Sequence, residues 1–454
     1  MSLIPPRRAF ALVAILLAGF LAGLLPTGPA AAMKITEVTS PGGIKAWLVE
    51  EHSLPLVTMS FGFTGGSSQD PADRGGVANF LTAMLDEGAG DIDSAAFQER
   101  LEDLAVKMSF GADRDSFTGS FQSLTDTLDD GARMLALALT KPRFDAEPIE
   151  RMRAQLLASI AFDAQDPDKV ANAAWYRLAF GGHPYALPVS GTAQSVAAVT
   201  AKDLEAYRSR VFARDNLLVA VVGDIDAARL GPLLDTVFGG LAAKAALVDV
   251  PAFEPGTGEH REVVQMDVPQ AVAQFGFGAI DRKDPDFMAA FVLNYIIGGG
   301  GFSSKLMEEV REKRGLAYSV YSYLQTYQRS SIYVGGVATK NEGIGQSLDV
   351  IRDVLKRMAE EGPSDKDLAD AKQYLTGSYA LRFSSSQRIA GQLLGIQFDD
   401  LGIDYVDNRN GMVEAVTLED IRRVARRFLK PENLIVTVVG KPTGLVPASA
   451  GEGG

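Results

Sequence analysis

The stretch GGGGFSSKLMEEVREKRGLAYSVYSY, Gly298–Tyr323, reads as a glycine loop, a short helix and a strand. Ser303 or Ser304 can cap a helix in which Leu306, Met307 and Val310 fall at helical spacing. Lys313 and Arg314 complement its carbonyl end, and Gly315 suits the C′ position. The period then changes to two, with Leu316, Tyr318 and Val320 on one strand face and Ala317, Ser319 and Tyr321 on the other. Arg311 falls in the last helical turn and Tyr318 a few residues into the strand, so a reversal at Gly315 aims both at one point. A guanidinium and a phenol beside glycine-lined backbone can hold a peptide carbonyl, more tightly as it becomes an oxyanion. The same residues also permit a plainer arrangement, in which Arg311 pairs with Glu308 one turn back and Tyr318 is a half-buried strand aromatic.

Working outward, the chain contains a repeat. VTAKDLEAYRSRVFARDNLLVAVVG at Val199–Gly223 aligns without a gap to VTLEDIRRVARRFLKPENLIVTVVG at Val416–Gly440, with ten of twenty-five positions identical. In both copies a Thr opens a helix and Asn-Leu leads into a β-rich strand. Two homologous halves follow, each ending in helix then strand. Leu247–His260, with Pro251, Pro255, Gly256 and Gly258, is the expected linker. The halves are then 33–246 and 261–442, with 443–454 a flexible tail. In the first half, strands are expected at Ile44–Val49 and Leu56–Phe63, and helices at Gly76–Glu87 and Pro148–Phe162 from their apolar stripes.

The 454 residues exceed the usual size of one hydrophobic core. The net charge of −13 makes nucleic acid a poor partner. Residues 1–32, with Arg7-Arg8, an apolar run and Ala30-Ala31-Ala32, read as a secretory signal peptide, so the chain is expected to be exported, most simply to the periplasm, with no membrane attachment after cleavage; the alternative is that the apolar run, near the short limit for a span, stays uncleaved as a membrane anchor. There is no Cys, which removes disulfides and cysteine chemistry. The three His, His52, His183 and His260, include no pair four residues apart. No G-x-S-x-G elbow, dinucleotide fingerprint or P-loop occurs.

The Gly298–Tyr323 stretch resembles the second-half signature of the pitrilysin/insulinase (inverzincin) family of zinc peptidases, which includes mitochondrial processing peptidase. That resemblance implies an α+β fold with two homologous domains, each an antiparallel sheet with packed helices. It also implies that Arg311 and Tyr318 bind the substrate backbone near the scissile bond, with Gly298, Gly299, Gly300, Gly301 and Phe302 lining it. Active members carry His-x-x-Glu-His on a first-half helix and a later Glu. GGVANFLTAMLDEG matches that frame, yet the positions hold Asn79, Thr82 and Ala83, and the later one holds Ser159. These are weak or absent zinc ligands, and no base remains.

The resemblance therefore implies the non-catalytic subunit of a heterodimer, without metal or other cofactor, whose zinc-bearing homologous partner supplies metal and base. Peptides or unfolded proteins are its implied substrates. The alternative is a catalytically dead structural or peptide-binding scaffold of the same fold. In either case the purified chain is expected to bind no stoichiometric zinc and to cleave no peptide alone. Elemental analysis finding one tight zinc per chain, together with chelator-sensitive proteolysis, contradicts this.

Overall fold

The computed structural model describes residues 33–256 and 258–445. The leader expected at 1–32 lies outside the described residues, as does 446–454 of the expected tail. Among the described residues no helix is long and apolar enough to cross a membrane.

Eleven strands form two sheets among the described residues. The first comprises β1 (Thr36–Thr39), β2 (Lys45–Glu50), β3 (Leu56–Thr64), β4 (Lys107–Ala112), β5 (Ser116–Leu124) and β6 (Leu217–Gly223), in the order β1-β2-β6-β3-β5-β4. The second comprises β7 (His260–Gln265), β8 (Gln270–Gly278), β9 (Ser319–Thr326), β10 (Ser331–Lys340) and β11 (Ile435–Gly440), in the order β7-β11-β8-β10-β9. Apart from β1 the orders correspond strand for strand. Each sheet is antiparallel except for one parallel pair, β2 with β6 and β7 with β11. The expected antiparallel sheets are therefore found, and within each the last strand of the half, β6 or β11, runs beside β2 or β7 in the same direction.

The aligned repeat forms the same unit twice. Thr200 and Thr417 each close a capping box with an Asp three residues on, opening the helices Ala201–Val211 and Leu418–Phe428. Each helix feeds the buried strand β6 or β11. Other boundaries shift modestly. The helix expected over Gly76–Glu87 is regular only over Val77–Thr82, because the following backbone bonds tighten to three residues, as from Met84 N–H to Leu81 O. His260 is the first residue of β7 and not part of the linker. The described residues of 247–259 form no helix or strand, yet they are pinned at both ends. Val248 exchanges two hydrogen bonds with the Gln69 amide, and Phe253 N–H donates to Arg329 O.

The halves are joined by an exchange of helices. Pro167–Phe180 belongs to the first half by sequence but packs on β8 and β11 of the second sheet. Trp175, fully buried, donates from Nε1 to Ile435 O at 3.0 Å, and Thr437 Oγ1 donates to Ala171 O at 2.8 Å. The equivalent second-half helix, Ser386–Phe398, packs on β3 and β6 of the first sheet, with Gln397 Nε2 donating to Val219 O at 3.1 Å. Both faces of the central strands are thereby covered, which is why β3 is buried along nearly its whole length instead of alternating.

Two glycines admit this docking. Gly62 and Gly276 occupy the same place in the nine-residue strands β3 and β8, six residues after Leu56 and Gln270. A Cβ at Gly62 would stand 2.5 Å from the Phe398 ring, and one at Gly276 would stand 2.8 Å from the Trp175 ring. Overpacking of this kind costs about 1–3 kcal/mol. Gly62→Ala is therefore expected to lower stability by about that amount in urea unfolding, and Phe398→Leu in the same chain to recover part of it. Full stability of Gly62→Ala alone contradicts the close approach.

Candidate functional site

The glycine loop and the helix after it depart from the α-helical spacing expected of them. Two π-helical segments, Tyr295–Gly299 and Met307–Glu312, bracket the loop. Ser304 is the observed cap, extended in backbone and accepting from Met307 N–H at 3.4 Å. In a π-turn residues five apart bond, and Lys313 N–H donates to Glu308 O at 3.0 Å. Side chains follow the same spacing: Glu308 pairs with Lys313 at 2.7 Å and Glu309 with Arg314 at 2.6 Å. The pairing of Arg311 with Glu308 that α-helical stacking allows does not form.

The turn ends as expected at Gly315, whose φ is +60°. Gly315 N–H donates to Arg311 O and Leu316 N–H to Val310 O, so the left-handed glycine closes the helix end with bonds each one residue wider than those of a Schellman cap. The strand begins later than the alternation suggested, at Ser319, so Tyr318 precedes it. From Ser319 onward Val320 and Ser322 are buried while Ser319, Tyr321 and Tyr323 are exposed. Tyr318 stands outside that pattern at 81% exposed, so it is not a half-buried strand aromatic.

The reversal does bring Arg311 and Tyr318 together. The Arg311 guanidinium carbon lies 5.3 Å from the Tyr318 ring centroid and 4.7 Å from that of Phe302, itself 65% exposed. Arg311 thus sits between two rings and forms no ion pair among the described residues, which leaves its planar donors for another group. The loop beneath is held tightly. Ser322 Oγ donates to Asn294 Oδ1 at 2.9 Å, both buried, and Gly298 lies so close to Ser322 that a Cβ there would collide with its backbone nitrogen at 2.7 Å.

The base of the element is an ion cluster around Glu309, which is buried while the three cations that meet it are not. Arg314, Lys313 and Arg357 converge on its carboxylate at 2.6, 3.0 and 3.1 Å. Burial alone would raise its pKa, but the hydrogen bonds from Arg314 and Lys313 and the charge of Arg357 bring it down to about 2.

The first-half positions do not fit zinc. Asn79 and Thr82 lie on the Val77–Thr82 helix and Ala83 caps it, while Ser159 is exposed on the neighbouring Ala146–Asp163 helix. Thr82 Oγ1 already donates to Asn79 O at 2.6 Å. An amide, two hydroxyls and a methyl offer neither anionic nor imidazole donors. Among the described residues no three His, Cys, Asp or Glu side chains cluster as a metal site. His183 is a packing residue, buried and bonded to Pro251 O and Tyr185 N–H, and His52 pairs with Asp224. Spacing gave no sign of a further group, Arg382, Arg388 and Arg409, which faces a cavity bordered by the glycine loop.

A two-domain chain with an intact Arg/Tyr element and an eroded His-x-x-Glu-His frame has the form of a zinc-peptidase relative lacking its metal set. The matches to known proteins agree. Residues 47–193 match the family described as insulinase (peptidase family M16), and 198–375 match the peptidase M16 inactive domain. A crystal structure described as a peptidase M16 inactive domain, from Pseudomonas fluorescens, superposes with a TM-score of 0.85 at 30% identity, covering 91% of this chain and all of that one. A protein named non-peptidase homolog YmxG from Helicobacter pylori is 25% identical over 86% of this chain and 90% of its own length. The beta subunit of mitochondrial-processing peptidase from Blastocladiella emersonii is 23% identical over 89% of this chain and 88% of its own. The chain belongs to the M16 insulinase/pitrilysin family.

Because the folded pKa of Glu309 lies below its ordinary value near 4.5, the stabilisation it provides is present above 4.5 and is lost as pH falls through about 2. Glu309→Gln is expected to cost about 1–3 kcal/mol at pH 7, the size of a buried charged hydrogen bond. The gap between wild type and variant in urea unfolding should close as pH falls from 4.5 toward 2. A gap that does not change across that window contradicts the assignment.

Proposed function

We propose that this chain is the non-catalytic subunit of an exported, periplasmic two-chain metallopeptidase. In this reading a homologous partner carries the metal and the general base, and this chain presents Arg311 and Tyr318 to the peptide backbone. The observation that carries the reading is the state of Arg311, bracketed by Phe302 and the exposed Tyr318 with no carboxylate paired to it among the described residues. Nearby Arg314 and Arg357, by contrast, are both paired with Glu309. The eroded positions Asn79, Thr82, Ala83 and Ser159 support assigning the metal elsewhere. The relative whose name makes it a subunit of mitochondrial-processing peptidase supports a paired assembly.

The chemistry follows from the donor types. A peptide carbonyl laid across the element would accept from the guanidinium and the phenol, and both bonds would shorten as negative charge grows on its oxygen. Open space surrounds Gly301, and β9 is the edge strand of its sheet, the position at which strand addition occurs.

Removing a donor that acts only as charge develops lowers kcat with little change in KM. Tyr318→Phe keeps the ring and deletes the hydroxyl, and Arg311→Lys keeps charge without the planar fork. In steady-state peptide hydrolysis by this chain mixed with a zinc-bearing homologue, each is expected to lower kcat by about a hundredfold to a thousandfold. Unchanged turnover in both variants at matched complex formation would leave the scaffold reading in its place.

A further inference from the structure

Beside the glycine loop lies a cavity of about 900 Å3 whose lining includes three arginines and no carboxylate, and two of them, Arg382 and Arg409, also line an adjoining cavity that holds Asp113, Asp115, Asp281 and Asp399. In a chain of net charge −13 this is a local reversal of sign. Arg382 and Arg388 are exposed, and Arg388 Nη1 donates to Ser384 Oγ at 3.0 Å. Arg409 is different: it is only 4% exposed. Its Nη1 donates to Leu375 O at 2.7 Å and to Asn410 Oδ1 at 3.0 Å, and its guanidinium carbon lies 4.6 Å from the Tyr379 ring centroid and 5.5 Å from that of Phe291. All of these partners are neutral.

A guanidinium removed from water and met only by neutral groups is short of compensating charge. Burial lowers the pKa of Arg409, Tyr405 and Tyr379 oppose it in part, and the positive charge of Arg382 adds a smaller push in the same sense as burial. An anion between these arginines would relieve both the desolvation and the mutual repulsion. Guanidinium forks favour carboxylates, which they grip through two parallel hydrogen bonds.

The cavity's position says how such an anion arrives. Gly298, Gly299 and Gly301 form one wall, and Tyr321 and Tyr323, parallel and 6.2 Å apart on the open face of β9, form another. Phe302 and Arg311 follow directly beyond Gly301. A peptide whose carbonyl lies at Arg311 and Tyr318 therefore carries a neighbouring segment past the loop toward the arginines.

We infer that this cavity selects peptides bearing carboxylates, from acidic side chains or a free C-terminus, and binds them through Arg382, Arg388 and Arg409. The inference rests on the reading of this chain as a peptide-binding subunit. It names the substrate class of that site as anionic.

The test uses the purified chain alone and fluorescence anisotropy of three labelled twelve-residue peptides of otherwise equal composition. One carries three Glu and a C-terminal amide, one carries Gln in their place and a free C-terminal carboxylate, and one carries Gln and the amide. One or both carboxylate peptides are expected to bind about tenfold tighter than the neutral one, the scale of one charge-assisted bond. Which of them does so identifies the source of the anion. Arg382→Gln with Arg388→Gln, at two exposed positions that leave the core intact, is expected to reduce the preference to within about twofold. Equal binding of all three peptides overturns the cavity's role and leaves the subunit reading standing. Binding of none contradicts peptide binding by this chain altogether. Displacement of the acidic peptide by sodium phosphate at or below the peptide's own Kd would make the cavity a phosphate site and overturn the peptide assignment.

Discussion

The reciprocal docking of Pro167–Phe180 on the second sheet and Ser386–Phe398 on the first is the constraint on which the rest of the structure depends. Each half leaves one face of its sheet uncovered and lends a helix to cover the face of the other. Neither half can then bury its central strands alone, since Trp175 and Phe398 each press on a glycine of the opposite half. The exchange is self-complementary, as an isologous dimer interface is, but it is built within one chain. It also fixes the site. The Ser386–Phe398 helix that seals the first sheet brings Arg388 beside the glycine loop of the second half.

The site combines a firm base with an open top. Glu309 gathers three cations beneath the π-helical turn, Asn294 and Ser322 lock the loop to β9, and the left-handed Gly315 turns the chain back. Above this, Phe302, Arg311 and Tyr318 project with few partners of their own. Rigid support under exposed donors is the arrangement that stabilises developing charge without reorganisation during the reaction.

Much of this was legible in the sequence, for identifiable reasons. The repeat exposed the duplicated helix and strand because capping boxes and buried strands each carry strong local signals. The reversal at Gly315 was visible because a left-handed residue after a helix selects glycine. The π-helical turn was not, since Leu306, Met307 and Val310 fit either period, and only the five-residue spacing of Glu308 with Lys313 and Glu309 with Arg314 hinted at it. Tyr318 was placed on the strand because alternation cannot show where pairing begins. The helix exchange and the arginine cavity were beyond reach, because residues far apart in the chain, Trp175 with Ile435 and Arg388 with Gly298, meet only once the helices dock on the sheets. The parallel strand pairs were hidden for the same reason.

The division of labour between two chains is tested most directly by mixing. The purified chain is titrated into a fixed amount of a homologous chain from the same source that carries His-x-x-Glu-His, and hydrolysis of an extended fluorogenic peptide is followed. The expected result is that each chain alone is close to inactive, and that turnover rises with added chain and saturates at one to one. Turnover of the mixture equal to that of the zinc-bearing chain alone, at every ratio, would contradict it.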